Sequence, residues 1–445
     1  MKKYFILIAW SIFLLGGRAS AQPARHIILI SIDGMRPVFY LDSCWPAPNM
    51  QQLMKQGAYA LHMKSVFPSY TYPSHSSMVT GAFPAKHQVC YNAPFAPLGG
   101  NDRWNWETSN IKARTIWDAI RDAGLTAAIV EWPVSVGAPV TWNIPEIWPV
   151  KDPGDRISES RKYSTPGLVE EIEKNATGLL TRENMNEEYL GMDANAGRMA
   201  AYIFIKYKPN LLALHFACVD GEEHEEGRDG PKVRLAVASA DRAIGDVLEA
   251  VERSGLRDST TIIIVGDHGF MDMHEVIRPN VWLAEKGLLH KGADWGMKFQ
   301  PAGGSAFLYL QHKEDSVLVG QVRALLDHLP DTIRNKFRVI GKEELVRKGA
   351  DREAVLALAA IPGVVFGGAA DGKVLSPIAK GGHHGYDPDL PEMYTGFIAA
   401  GKGIRPGVVI PELTVVDIAP IVTTLLGIPF QAPDGVLPPG LVKTP

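Results

Sequence analysis

The sequence predicts an α/β fold. Its core is a mostly parallel sheet with helices on both faces, a three-layer α/β/α sandwich carrying a small α+β insertion. Two observations predict it. Three continuous apolar, β-branched runs read as strands buried on both faces: His26–Asp33, Leu211–Asp220 and Thr261–Asp267. Helical patterns lie between them, at Thr115–Ala123, Ala194–Tyr207 and Val233–Arg253. Strands that alternate with helices build parallel sheets.

The elements follow in chain order. Lys2 and Lys3, an apolar run from Tyr4 to Leu15 and the small residues Ala19-Ser20-Ala21 form a secretory signal peptide, with cleavage expected after Ala21. The apolar run is too short to span a bilayer, and no later segment supplies a membrane span. Residues 22–445 then form one catalytic domain, with the insertion at about 300–375. The insertion contains a strand at Ala306–Leu310, an amphipathic helix at Ser316–His328 and a strand near Phe337–Ile340. The core resumes at Tyr394–Ala400 and ends with a helix at Asp417–Gly427.

Composition excludes several classes. The chain has 445 residues, 46% hydrophobic and 21% charged, which rules out a disordered or collagen-like protein. Removing the signal peptide changes the balance from 45 − 49 = −4 to 42 − 49 = −7, so the mature protein is mildly acidic. That argues against a duplex nucleic-acid binder. Cys44, Cys90 and Cys218 are too few for a disulfide scaffold, and any pairing among them stays open, as does the oligomeric state.

All three strand runs end on Asp, and in open α/β sheets the site lies outside the carboxyl ends of the strands. Asp33, Asp220 and Asp267 therefore converge on one edge. Asp220 is followed by His224, Asp267 by His268, and Gly381–Asp387 adds His383 and His384 in a glycine-rich loop. Asp oxygen and His nitrogen suit divalent metals such as zinc. Gathering these carboxylates without a cation would carry a large desolvation and repulsion cost.

The segment Thr71-Tyr-Pro-Ser-His75 leads into a helix that Gly81 would cap. Thr71 is placed just before the helix start, where free amides favour a bound phosphate. A threonine hydroxyl becomes a competent nucleophile when a metal lowers its pKa. His75 and His87 are expected to be structural. Trp104, Trp106, Trp117, Trp132 and Trp142 are expected in the core and walls, and Asn175-Ala-Thr177 matches the short glycosylation pattern.

In order along the chain, Ile32-Asp33-Gly34, Thr71–His75 with Thr80-Gly81 and Pro84, Asp220 to His224 with Gly227, Gly266–Gly269 and His384–Asp387 resemble the nucleotide pyrophosphatase/phosphodiesterase family of the alkaline phosphatase superfamily. The resemblance implies an alkaline phosphatase-like fold and two Zn²⁺ ions, or another divalent metal. Carried over, Asp33, Thr71, Asp267 and His268 would hold one ion. Asp220, His224 and His384 would hold the other, with His383 as the rival to His384. Thr71 would attack phosphorus and pass through a phospho-threonine intermediate. Ser74 stands where the family places a phosphate-binding Asn. Tyr72 and His215 would flank the substrate. Glu222, Glu223, Glu225 and Glu226 would make the mouth acidic.

The function implied is that of an exported phosphate-diester hydrolase, periplasmic or extracellular, acting on a nucleotide or another small phosphate ester. The alternative is a phosphomonoesterase or phosphonate hydrolase using the same site. A monoesterase wants extra cationic donors, and only Lys64 and Lys86 lie near Thr71 in sequence. Sulfatases of the superfamily need a Cys or Ser in a motif ending in Arg; Cys44-Trp-Pro-Ala-Pro48 lacks it. A degenerate, non-catalytic binding protein is disfavoured by the intact Thr71 and ligand set.

Overall fold

The strand His26–Ile32 is the centre of an eight-stranded sheet. The computed structural model describes residues 24–99, 103–186, 190–312 and 315–443. The signal-peptide reading of residues 1–21 lies outside the described residues. Across the sheet the strands run Val409–Ile410, Ala58–Ala60, Phe397–Gly401, Thr260–Gly266, His26–Ile32, Leu211–Phe216, Ala127–Trp132 and Trp142–Pro145. All neighbours pair in parallel except Phe397–Gly401, which is antiparallel to both its neighbours.

Successive side chains of a strand face opposite layers. Ile28, Ile30 and Ile32 pack with the helices Gly191–Tyr207 and Pro231–Arg253. Ile27 and Leu29 pack on the other face with the helices Thr71–Thr80, Ile116–Asp122 and Ile418–Leu426. The five strand residues Ile27–Ile30 and Ile32 are at most 1% exposed, each contributing about 1.5–3 kcal/mol on burial. This is the predicted three-layer α/β architecture.

Two expectations need correcting. The strand from Leu211 stops at Phe216 and a helix begins at Cys218, so Asp220 sits in the first turn of the helix Cys218–Glu226. The α+β insertion expected at about 300–375 lies within a longer stretch from Met271 to His383 that forms two small four-stranded sheets, one antiparallel and one mixed, with Gly363–Phe366 parallel to Met271–Ile277. The helix Ser316–Asp327 and the strands Ser305–Leu310 and Phe337–Gly341 lie among them.

Candidate active site

Strand register builds the site. Ile32 pairs level with Phe216 on one side and with Gly266 on the other. The next residues, Asp33 and Asp267, therefore leave the sheet side by side at one edge. Asp33 is 4% exposed and Asp267 is fully buried. Asp33 Oδ1 and Asp267 Oδ2 have no hydrogen-bond partner. Burial and the Asp267 charge push the Asp33 carboxyl well above its usual range. Against its own burial, Asp267 is held down by His268, His75 and His215.

Three imidazoles complete the constellation, and each turns the same nitrogen inward. Nδ1 of His268, His224 and His384 faces the carbonyls of Gly269, Gly382 and Ser69, at 3.2, 3.1 and 3.0 Å. A carbonyl accepts only from N–H, so Nδ1 carries the proton and Nε2 keeps its lone pair. His268 Nε2 then lies 3.2 Å from both Asp33 Oδ1 and Asp267 Oδ2. His224 Nε2 is 3.4 Å from Asp220 Oδ2, and His384 Nε2 is 3.6 Å from Asp220 Oδ1. Lone pairs this close to carboxylate oxygens repel unless a cation lies between them. Burial lowers the pKa of all three rings, that of His224 to about 4, aided by His215 at His268 and by neighbouring imidazoles at His224 and His384, and this favours the neutral form that a ligand needs. The donor set fits divalent metal. Asp33, Asp267 and His268 form one such group, and Asp220, His268 and His384 form another, each with donor atoms within 4.8 Å.

His383 also approaches His224 and His384. Its Nδ1 accepts the backbone N–H of His384 at 3.0 Å, so its proton sits on Nε2. His384 is the one that presents a free nitrogen to Asp220.

Thr71 is the first residue of the helix Thr71–Thr80 rather than the residue before it, with Tyr70 as N-cap. Gly81 ends the helix at φ +64, a conformation that favours glycine. Thr71 Oγ1 lies 3.4 Å from His268 Nε2. Few amides are free at the helix start: Asn92 Oδ1 accepts the Tyr72 N–H at 3.0 Å, and Pro73 has none. His75 Nδ1 donates to the Thr71 carbonyl at 2.8 Å, and His87 Nε2 meets Ser77 Oγ at 2.8 Å, both structural contacts.

A cavity of about 280 Å³ opens over these residues, and its lining separates expectation from outcome. Thr71, Asp33, Asp220, His224 and His384 line it, as do Asn92, Trp104, Glu146, Trp148 and Arg156. Ser74 is not there: it is fully buried and its hydroxyl meets Ser65 Oγ at 2.8 Å. Tyr72 is also fully buried, edge-on to Trp104 with ring centres 5.3 Å apart, so it backs the wall rather than touching ligand. His215 lines the cavity but is no stacking platform. Its Nε2 lies 3.3 Å from Asp33 Oδ2 and its Nδ1 2.8 Å from Glu146 Oε2. Glu222 and Glu225 line the mouth as expected, whereas Glu223 is buried against Arg36 at 2.9 Å. Lys64 pairs with Asp389 and Glu412, and Lys86 with Asp434. None of the three cysteines forms a disulfide.

Among known proteins, the family model described as type I phosphodiesterase / nucleotide pyrophosphatase matches residues 27–387. The chain belongs to this family. It is 26% identical over 438 residues to human ectonucleotide pyrophosphatase/phosphodiesterase family member 7, covering 94% of this chain and 84% of the relative. It is 24% identical over 429 residues to the mouse bis(5'-adenosyl)-triphosphatase enpp4, covering 95% and 82%. Of solved structures, mouse ectonucleotide pyrophosphatase/phosphodiesterase 5, an inactive threonine-to-alanine variant in complex with AMP, superposes with a TM-score of 0.66 at 19% identity. That match covers 93% of this chain and 97% of the other and shows a shared fold. No helix among the described residues is long and apolar enough to cross a membrane.

Four cavity residues of this family member carry no clear sequence signal. Arg156 sits in a polar stretch, Asp152–Arg161, and Asn92 in a stretch broken by Pro94 and Pro97, neither with periodicity. Glu146 and Trp148 follow a short edge strand. A neighbouring clue was legible: Glu131 interrupts the otherwise apolar run Ala127–Trp132 and is 1% exposed. A carboxylate in a buried strand signals charged neighbours, and here three residues of the cavity lining, Glu146, Arg156 and His215, act on its charge.

Proposed function

We propose that this chain is an exported, two-zinc phosphodiesterase that cleaves small phosphate diesters through Thr71. The observation that carries the reading is the 3.4 Å approach of Thr71 Oγ1 to His268 Nε2 inside a buried Asp/His constellation. Asp33, Asp267 and His268, with Thr71, would hold one ion; Asp220, His224 and His384 would hold the other. Zinc bound there would act as a Lewis acid on the phosphoryl group and lower the pKa of the Thr71 hydroxyl and of water.

The chain's own residues supply the rest. The helix start holds Thr71 at the cavity floor. Its oxygen attacks phosphorus, the bond from phosphorus to the leaving alcohol breaks, and the alcohol departs with a proton. Water then cleaves the phospho-threonine ester, restoring the hydroxyl and releasing a phosphate monoester. Asn92 spends its Oδ1 on Tyr72, leaving its NH₂ group to donate to a phosphate oxygen. Trp104 and Trp148 wall the cavity and exclude water on that side. AMP in the mouse relative and the dinucleotide activity named for enpp4 make nucleotide esters the first natural substrates to try.

One residue favours the second reading, a phosphomonoesterase. Arg156 lines the same cavity as Thr71 although it is 85 positions away in sequence (156 − 71). Its guanidinium carbon lies 3.4 Å from the centre of the Trp148 ring and brings a cation to the cavity.

Turnover of bis-p-nitrophenyl phosphate, p-nitrophenyl phosphate and a nucleotide ester, with and without chelator, separates these readings. The expected result is diester preference that is lost on exhaustive metal removal and in Thr71→Ala. Preference for the monoester installs the second reading. Full activity in Thr71→Ala removes the nucleophile.

A further inference from the structure

The inserted elements grip the loop that carries His384. The turn between the strands Met297–Ala302 and Ser305–Leu310 reaches it first. The Gly304 N–H donates to the His384 carbonyl at 3.0 Å, and Ser305 Oγ donates to the Gly385 carbonyl at 2.7 Å. The Tyr386 ring lies so close to Gly304 that a Cβ there would sit 2.0 Å from it. Asp387, 6% exposed, then takes two cations from the insertion. Lys348 Nζ reaches its Oδ1 at 2.7 Å and Arg338 Nη2 its Oδ2 at 2.5 Å.

The core holds the other side of the loop through one residue. Ser69 accepts His384 Nδ1 at 3.0 Å and the Gly385 N–H at 2.9 Å on its carbonyl, and donates its hydroxyl to the Tyr386 carbonyl at 2.9 Å. Ser69 lies two positions before Thr71. The insertion, the His384 loop and the start of the Thr71 helix therefore form one hydrogen-bonded chain.

We infer that Asp387 is a positioning residue, and that the insertion, through Lys348 and Arg338, sets His384 against Asp220 and His224. The inference rests on the metal site proposed above. A buried carboxylate held by two cations has one low-energy position, because any shift leaves charge unpaired in a desolvated place. Fixing Asp387 fixes the backbone three residues earlier, where His384 must keep its Nε2 within 3.6 Å of Asp220 Oδ1. Groups that orient a ligand histidine typically govern metal affinity by about 10–100-fold.

The test is zinc titration of the full chain against a competing chromophoric chelator, alongside kcat and KM. Wild type should bind two equivalents. Asp387→Asn and Lys348→Gln should each weaken one equivalent about 10–100-fold and leave the other unchanged, with excess zinc restoring turnover. Lys336→Gln breaks an ion pair with Glu275 inside the insertion that does not involve Asp387, and should bind as wild type. Wild-type affinity for both equivalents in Asp387→Asn overturns the inference alone. Loss of both equivalents together with the circular-dichroism signal of the fold also overturns it, since the role would then be merely structural. A wild type that binds no zinc overturns the proposed metal site itself.

Discussion

His215 holds Asp33: its Nε2 lies 3.3 Å from Asp33 Oδ2, with both side chains buried. Glu146 Oε2 sits 2.8 Å from the other ring nitrogen. Burial alone would push the imidazole down, but the Asp33 and Glu146 carboxylates outweigh it and hold its pKa well above normal. The ring thus bridges two acids, one of which belongs to the proposed metal cluster. His215→Gln keeps a hydrogen-bonding side chain but removes the ring that reaches both acids. It should lower metal affinity and kcat about 10–100-fold with little change in KM, measured by metal content and steady-state kinetics.

Glu131 predicts a pH effect on stability. It is buried, and both its carboxylate oxygens have no hydrogen-bond partner. Burial, with the Glu146 charge, raises its pKa from 4.5 to about 8. The folded state therefore holds a proton that the unfolded state has lost above pH 4.5. This group's contribution to stability is fully present below about pH 4.5 and declines as pH rises towards about 8. Glu131→Gln imitates the protonated acid and cannot ionise. Its stability relative to wild type should rise across that window, by at most about 5 kcal/mol. Denaturant titrations at pH 5 and pH 8.5 check it; equal differences at both pH values would refute the buried-acid account.

Glu222 and Glu225 line the mouth, and Lys232 is shared between them at 3.8 and 3.0 Å. Two carboxylates against one ammonium leave a negative entrance. The double change Glu222→Gln and Glu225→Gln should raise kcat/KM for a polyanionic substrate such as a dinucleoside triphosphate about 3–10-fold at low salt. The gain should shrink at high ionic strength. A singly charged diester should respond much less.

Arg156 tests the diester reading. Trp104 lies parallel to Trp148 with ring centres 5.1 Å apart, and the Arg156 guanidinium lies 3.4 Å from the centre of the Trp148 ring. If Arg156 acts mainly on a third phosphate oxygen, Arg156→Gln should cut residual monoester turnover about tenfold or more and spare the diester. The diester-to-monoester ratio is the readout, and a fall in that ratio would contradict the assignment.

Much of the fold was legible because strand and helix patterns are local. The apolar run at His26–Ile32 declares a doubly buried strand, and Gly81 declares the end of the Thr71 helix. The insertion begins earlier than its pattern suggests because Met271–Ile277 alternates in burial and reads as a surface segment, although it pairs with three other short strands. The acids and histidines that gather at the sheet edge were legible because the strand runs advertise their ends with Asp and His. The substrate wall was not. Ser74 occupies a plausible position in sequence but spends its hydroxyl on Ser65, beneath Asp267, while Asn92 reaches the cavity from a loop.

By itself the sequence determined an α/β chain with Thr71 at a helix start and a set of acids and histidines destined for one sheet edge. Only the tertiary structure decided which of them meet. Parallel register places Asp33 beside Asp267, 234 positions apart (267 − 33), and loop packing brings Ser69 to His384. The physical reason is range. Periodicity records what each element buries against its immediate neighbours. A buried carboxylate's partners come instead from strands, loops and an inserted sheet hundreds of residues away, and only their packing selects them.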